Sequence, residues 1–154
     1  MKVYIGADHR GFALKGKLVD LLHAQDVAVV DCGAHKLDES DDYPQFAQNV
    51  AKKVAESEAP TSGADAVLGI AICGSGIGVC VAANKVRGIR AGTVWSAELA
   101  RHIRERDNIN VLCLSADYTD EQTALEIAQS FLTTPFTNLE RDRRRIAQIA
   151  KIEK

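Results

Sequence analysis

Apolar residues along the chain come in two alternating kinds of run. Short continuous runs at residues 3–7, 27–30, 66–72, 89–94 and 110–114 read as strands buried on both faces. Between them apolar residues recur three or four positions apart, the spacing of one helix face. Phe12, Leu14, Leu18, Leu21 and Leu22 mark the first such face. Phe46, Val50 and Val54 mark the second, with Pro44 suited to its first turn. A small-residue pattern from Ile77 to about Val86 predicts a third helix, and residues 96–106 a fourth. A fifth, over 120–132, has Thr119 or Asp120 to cap it. The tail, 139–154, is a basic helix striped by Ile146, Ile149 and Ile152.

Strands alternating with helices of this length build βαβ units, which need a parallel sheet covered on both faces. Their crossovers are right-handed. The expected fold is α/β: a Rossmann-like three-layer αβα sandwich on a five-stranded parallel sheet, with residues 1–154 forming one domain. The stripe on the tail helix has to be covered by its own sheet or by a neighbouring chain.

Composition narrows the class only by exclusion. At 154 residues the chain is long enough to bury a core, and 26% charged residues with a net charge of −2 suggest neither a nucleic-acid nor a membrane surface. Residues 1–8 turn polar too soon for a signal peptide, and no apolar stretch approaches a membrane span. Cys32, Cys73, Cys80 and Cys113 are scattered without C-x-x-C spacing. That argues against a disulfide framework or a zinc site, and fits a reducing cytoplasm.

One stretch carries chemistry. The run at 66–72 stops at Cys73, and a glycine-dense turn (Gly74, Ser75, Gly76, Gly78) leads into the third helix. Such a turn sits at the carboxyl end of a central strand, where open α/β sheets bind ligands. Its glycines allow close backbone approach, and its N–H groups point from a helix N-terminus toward negative charge. A cysteine beside that electropositive end is placed for a thiolate. A tight turn and a small core residue would account for either feature alone; the combination points to function.

Taken in order, the strand-end motifs resemble the ribose-5-phosphate isomerase type B family, which includes the galactose-6-phosphate isomerase subunits. The matching residues are Gly6-Ala-Asp-His-Arg-Gly-Phe12 with Lys15, Asp42-Tyr-Pro44, and Ile72-Cys-Gly-Ser-Gly-Ile-Gly78. They continue through Ala83-Asn-Lys85, Gly88-Ile-Arg-Ala91, Asn110-Val-Leu112, Arg141 and Arg145. The resemblance implies aldose–ketose isomerisation of a phosphorylated sugar through a cis-enediolate, without metal or organic cofactor. It implies Cys73 as the base at C2 and Ser75 as the hydroxyl that helps move a proton between O1 and O2. The N–H groups of Gly74, Gly76, Ile77 and Gly78 would face the enediolate oxygens. Asp8, His9 and Tyr43 would hold the sugar, although Asp8 also suits a plain helix cap and His9 a plain helix start. Arg141 and Arg145, one turn apart, would fork the phosphate. The family shares its site between two subunits, so a homodimer is implied, with those arginines serving the partner's pocket. Without that resemblance the tail arginines would read as a solvated basic face.

Three departures fall at functional positions. Where the family has a His-Asn pair before the fifth strand, with the histidine credited with ring opening, this chain has Arg106 and Asp107. An arginine stays protonated and cannot shuttle a proton. The family's arginine after that strand corresponds to Asp117, and the histidine after the first tail arginine to Asp142. The residues leave four readings open. The substrate needs no ring opening, or His102, one turn before Arg106, supplies the acid/base, or Arg106 has become a phosphate ligand. In the fourth the chain binds a sugar phosphate without turnover, alone or as one subunit of a heteromeric isomerase. A nucleotide-binding module fits less well, because the glycines follow the third strand rather than the first.

Overall fold

The computed structural model describes residues 1–153. Five parallel strands, β1 (Lys2–Ala7), β2 (Ala28–Asp31), β3 (Val67–Cys73), β4 (Ala91–Thr93) and β5 (Val111–Ser115), alternate with helices. The helices are α1 (Phe12–Ala24), α2 (Tyr43–Ala55), α3 (Ile77–Ala83), α4 (Ala97–Asp107), α5 (Glu121–Thr133) and α6 (Glu140–Ala150). The sheet order is β2-β1-β3-β5-β4, parallel throughout. The α/β three-layer expectation holds.

Alternation along the strands divides the core. Leu68, Ile70 and Ile72 of β3 face one way, into a cluster with Leu18, Leu22, Ala100, Ile127 and Phe131 from α1, α4 and α5. Ala71 and Cys73 face the other way, toward Val50, Val54, Val79 and Ala83 of α2 and α3. All seven residues of β3 are buried, which is why the segment reads as one unbroken apolar run.

The strand order places the site. From β1 the chain crosses to β2 on one side; from β3 it crosses to the other. The crevice between the carboxyl ends of β1 and β3 is therefore the switch point at which such sheets bind ligands. Ala7 pairs with Ile72 there, so the residues leaving β1 and the Cys73 turn leaving β3 are neighbours.

Elements differ from expectation where the ladder, not hydropathy, sets their ends. The fourth strand is only Ala91–Thr93, because β4 is an edge strand paired with β5 alone over those residues. Ile89 and Val94 are buried as expected, but in the cores on opposite faces of the sheet. The third helix ends at Ala83 rather than near Val86. The tail helix spans Glu140–Ala150 and buries only Asp142, so Ile149 and Ile152 stand exposed. Asp120, not Thr119, caps α5, accepting the Thr123 N–H at 3.0 Å.

Candidate active site

β3 delivers Cys73, 4% exposed, to the switch point. The backbone N–H of Gly76 donates to its Sγ at 3.2 Å. Gly76 has φ +74, and a Cβ there would lie 2.9 Å from the Leu114 carbonyl carbon, so only glycine fits. The end of β5 and the loop after it brace the turn from behind: Ser115 Oγ donates to Gly74 O at 2.7 Å, and Ala116 N–H to Cys73 O at 3.0 Å. From β4, Thr93 Oγ1 donates to Gly76 O at 2.9 Å. Ser75 is exposed, and its Oγ accepts the Ile77 N–H at 3.2 Å. Two of the N–H groups expected to face enediolate oxygens, those of Gly76 and Ile77, are thus directed at the Cys73 sulfur and the Ser75 hydroxyl.

The loop after β1 forms the second wall. Asp8 is buried, its N–H bonded to Ile72 O at 3.3 Å and its Oδ1 accepting the Gly11 N–H at 3.0 Å. Burial raises its pKa from the ordinary carboxylate value, against the lowering effect of the Gly11 bond. His9 turns its ring to Asp41: Nδ1 lies 2.8 Å from Asp41 Oδ1, which also accepts the His9 backbone N–H at 3.0 Å. That hydrogen bond raises the His9 pKa. Tyr43, at the start of α2, lies over the turn; a Cβ on Gly78 would come 2.7 Å from its ring. Asp8, His9, Tyr43 and the Cys73–Gly78 turn are therefore gathered at one mouth.

Asp8, His9 and Asp41 offer ligand atoms that all lie within 4.8 Å of one another, the spacing of a small cation site. The His9–Asp41 hydrogen bond accounts for the tightest of these approaches without an ion. A cavity of about 620 Å³ lies at the opposite end of the sheet beside Met1, Gly63, Arg104 and Thr134. It opens where the strands begin rather than where they end, away from the switch point.

The remaining predicted residues form a separate group on α4 and α6. Asp142 is 2% exposed, and Arg106 grips it with Nε 3.0 Å from Oδ2 and Nη2 donating to Oδ1 at 3.2 Å. Arg141 Nε and Arg145 Nη1 stand 3.6 Å and 3.9 Å from the same carboxylate and are largely exposed. Three guanidiniums share one carboxylate, leaving a surplus of positive charge. His102 and Asp107 are exposed on α4, with Asp107 O accepting Arg90 Nε at 3.2 Å. No hydrogen bond or ion pair among the described residues joins this group to the Cys73 mouth. Arg106 bridges α4 and α6 through Asp142.

Three further residues, Asp41, Arg10 and Asp117, stand at the mouth. Asp41 lies in the polar, acidic stretch that leads into α2. Arg10 and Asp117 make a two-point ion pair, Nη2 to Oδ2 at 2.6 Å and Nε to Oδ1 at 3.2 Å. The pair lies against the turn, since a Cβ on Gly74 would meet Asp117 Oδ2 at 2.6 Å. Asp117 and Asp142, the two carboxylates that replace the family's arginine and histidine, each have an arginine partner.

Residues 3–149 match the ribose/galactose isomerase family. The chain belongs to that family. It is 41% identical over 152 residues to a probable ribose-5-phosphate isomerase B of Mycoplasma genitalium, covering 99% of this chain and 95% of the relative. Against ribose-5-phosphate isomerase B of Mycobacterium leprae the identity is 38%, covering 100% and 91%. The Mycoplasma genitalium ribose-5-phosphate isomerase B solved with ribulose 5-phosphate bound superposes with a TM-score of 0.90, covering 99% of this chain and 95% of that one. The Clostridium thermocellum ribose-5-phosphate isomerase B, 38% identical, gives 0.91 with 99% and 97% covered. Among the described residues no helix is long and apolar enough to cross a membrane.

Proposed function

We propose that this family member interconverts ribose 5-phosphate and ribulose 5-phosphate, or a closely related aldose–ketose phosphate pair, through a cis-enediolate, with Cys73 as the base. The observation that carries the assignment of the base is the thiol at the switch point with a backbone N–H aimed at its sulfur. Such a donor stabilises the thiolate, the form that can take a proton from C2 and return it to C1. Ser75 sits beside it on the turn as the hydroxyl that moves a proton between O1 and O2. Asp8 and Tyr43 line the same mouth and hold sugar hydroxyls. The chemistry asks for no metal or organic cofactor.

Phosphate binding falls to Arg141 and Arg145, in a site shared between two copies of the chain. Their position supports this: they lie off the mouth of their own subunit, exposed, on a helix whose Ile149 is uncovered, as is Ile152 just past its end. Packing α6 on a second copy would cover those side chains and bring the guanidiniums toward a second Cys73. The four free cysteines are consistent with the reducing cytoplasm.

Deuterium exchange followed by NMR tests the reading on ribose, allose, galactose and erythrose phosphates and their ketoses. Exchange at C2 with one sugar, lost in Cys73→Ala, is the expected outcome. Exchange undiminished in Cys73→Ala would remove Cys73 from the mechanism. A sugar phosphate that raises the melting temperature without exchanging would point instead to a binding or subunit role.

A further inference from the structure

We propose that His9, oriented by Asp41, is the proton shuttle that opens the cyclic form of the sugar phosphate before Cys73 acts. This rests on the isomerase reading above. An aldopentose 5-phosphate in water is mainly a furanose hemiacetal, whose C2 proton is not acidified by a carbonyl. Opening it moves a proton from O1 to ring oxygen O4 while C1=O1 forms and C1–O4 breaks. The group that does this must first accept and then donate a proton. The Cys73 thiolate is committed to C2, so a second acid/base at the same mouth is required.

His9 is built for that task. Asp41 Oδ1 lies 2.8 Å from its Nδ1 and also accepts its backbone N–H, so both ring and main chain are clamped to one oxygen. The Asp41 side chain is 6% exposed and that of His9 27%. A carboxylate on Nδ1 fixes the proton there and leaves Nε2 as the basic nitrogen of the neutral ring. Asp41 Oδ2 is buried with no hydrogen-bond partner among the described residues, so no other donor draws on this carboxylate. Nε2 takes the O1 proton, the imidazolium is stabilised by Asp41, and the same nitrogen returns the proton to O4. Nothing is consumed. The other three histidines lack this construction: His23 and His102 are exposed, and His35 is 72% exposed with Asp31 no nearer than 3.8 Å.

The charged groups acting on His9 are Asp8 and Asp41, which favour the imidazolium, and Arg10, which opposes it; Asp38 lies in the same loop. The net effect raises the His9 pKa, with the Asp41 bond the largest cause.

The test uses the fact that ribulose 5-phosphate has no ring to open, its fifth oxygen carrying the phosphate. His9→Asn keeps an amide donor for Asp41 but removes the second nitrogen. Conversion of ribose 5-phosphate is expected to fall about 10²- to 10⁴-fold, the usual worth of a positioned acid/base. Exchange of the C1 proton of ribulose 5-phosphate into deuterated water should fall at least tenfold less. Equal losses for the two sugars, or no loss with ribose 5-phosphate, would overturn the shuttle while leaving the isomerase intact. A wild-type protein inert toward both sugars would overturn the isomerase reading and the shuttle with it. Asp41→Asn supplies the readout for positioning. The acid limb of ribose 5-phosphate turnover, set by the need for neutral His9, should move to lower pH, with the ribulose 5-phosphate exchange profile unmoved. An unmoved acid limb would deny Asp41 its role.

Discussion

The Cys73 mouth and the arginine group on α4 and α6 differ in how they are held. At the mouth, each reactive side chain is fixed by at least one hydrogen bond to backbone or to a buried partner. Gly76 N–H holds the thiol, Gly11 N–H holds Asp8, and Asp41 holds His9. On α6 only Asp142 is buried, and Arg141 and Arg145 extend into solvent around it. Fixed groups suit proton transfer, where error in position is costly. Long mobile guanidiniums suit the capture of a dianion, and gain geometry only when something else covers them. The contrast fits the proposal that the mouth performs the chemistry and that the arginines complete the site of a second copy of the chain.

The largest effect should come from the mouth. Cys73→Ala is expected to lower turnover about 10³- to 10⁴-fold, as loss of a general base does, with stability changed by about 1 kcal/mol or less. Thermal melting beside the exchange assay separates the two. If melting fell as far as activity, Cys73 would be acting as core and the contrast would fail.

Next comes the arginine pair. Removing both Arg141 and Arg145 by alanine should raise KM about 10- to 100-fold, since a hydrogen bond to a charged group is worth about 1.5–3 kcal/mol. kcat should change little, and stability by no more than about 0.5 kcal/mol, as for other exposed positions. Mixing this double variant with Cys73→Ala then sharpens the comparison. Activity regained on mixing two inactive or crippled proteins requires one chain's thiol to work with another's guanidiniums. Mixtures no more active than their parts would place the arginines at their own subunit's mouth.

How much of this was legible in the sequence follows from how local each feature is. The β3–glycine–α3 unit could be read directly, because an apolar run, a positive-φ turn and a helix start are encoded within about a dozen consecutive residues. The strand order β2-β1-β3-β5-β4 could not, since parallel pairing joins segments far apart in the chain. Residues 89–94 read as a strand because Ile89 and Val94 are apolar, yet those two pack into opposite cores and leave three residues to the ladder. Asp41 was illegible for the same reason. Its partner lies 32 residues earlier, and an acidic stretch gives no sign that one member is buried. For Asp117 and Asp142 the sequence shows the charge but not the partner, since the Arg10 and Arg106 that pair with them lie across the fold.

Asp142 tests what holds the arginine group. With Arg106 astride it, the carboxylate ties α6 to α4, and Asp142→Asn should cost about 1–2 kcal/mol. That is below the 3–5 kcal/mol of a fully buried pair, because the guanidiniums remain in contact with water. High salt should shrink the difference between the two proteins in thermal melts. A loss unaffected by salt would make Asp142 a packing residue rather than an electrostatic tie.

Asp8 gives the smallest effect and the sharpest contrast in sign. Its pKa is raised in the fold, chiefly by burial. The unfolded chain therefore ionises first, so stability is lost as pH rises from the ordinary carboxylate value through the raised one. Asn at this position keeps an oxygen for the Gly11 N–H and carries no charge. Asp8→Asn should melt slightly above the native protein at pH 7, the gap closing in acid where Asp8 is neutral in both states, while turnover falls. An ordinary helix-capping aspartate behaves in the opposite way, its ionised form stabilising the helix start and its loss lowering the melting temperature at neutral pH. A lower melting temperature for Asp8→Asn at pH 7 would therefore reassign Asp8 from the sugar to the helix, and remove one fixed group from the mouth.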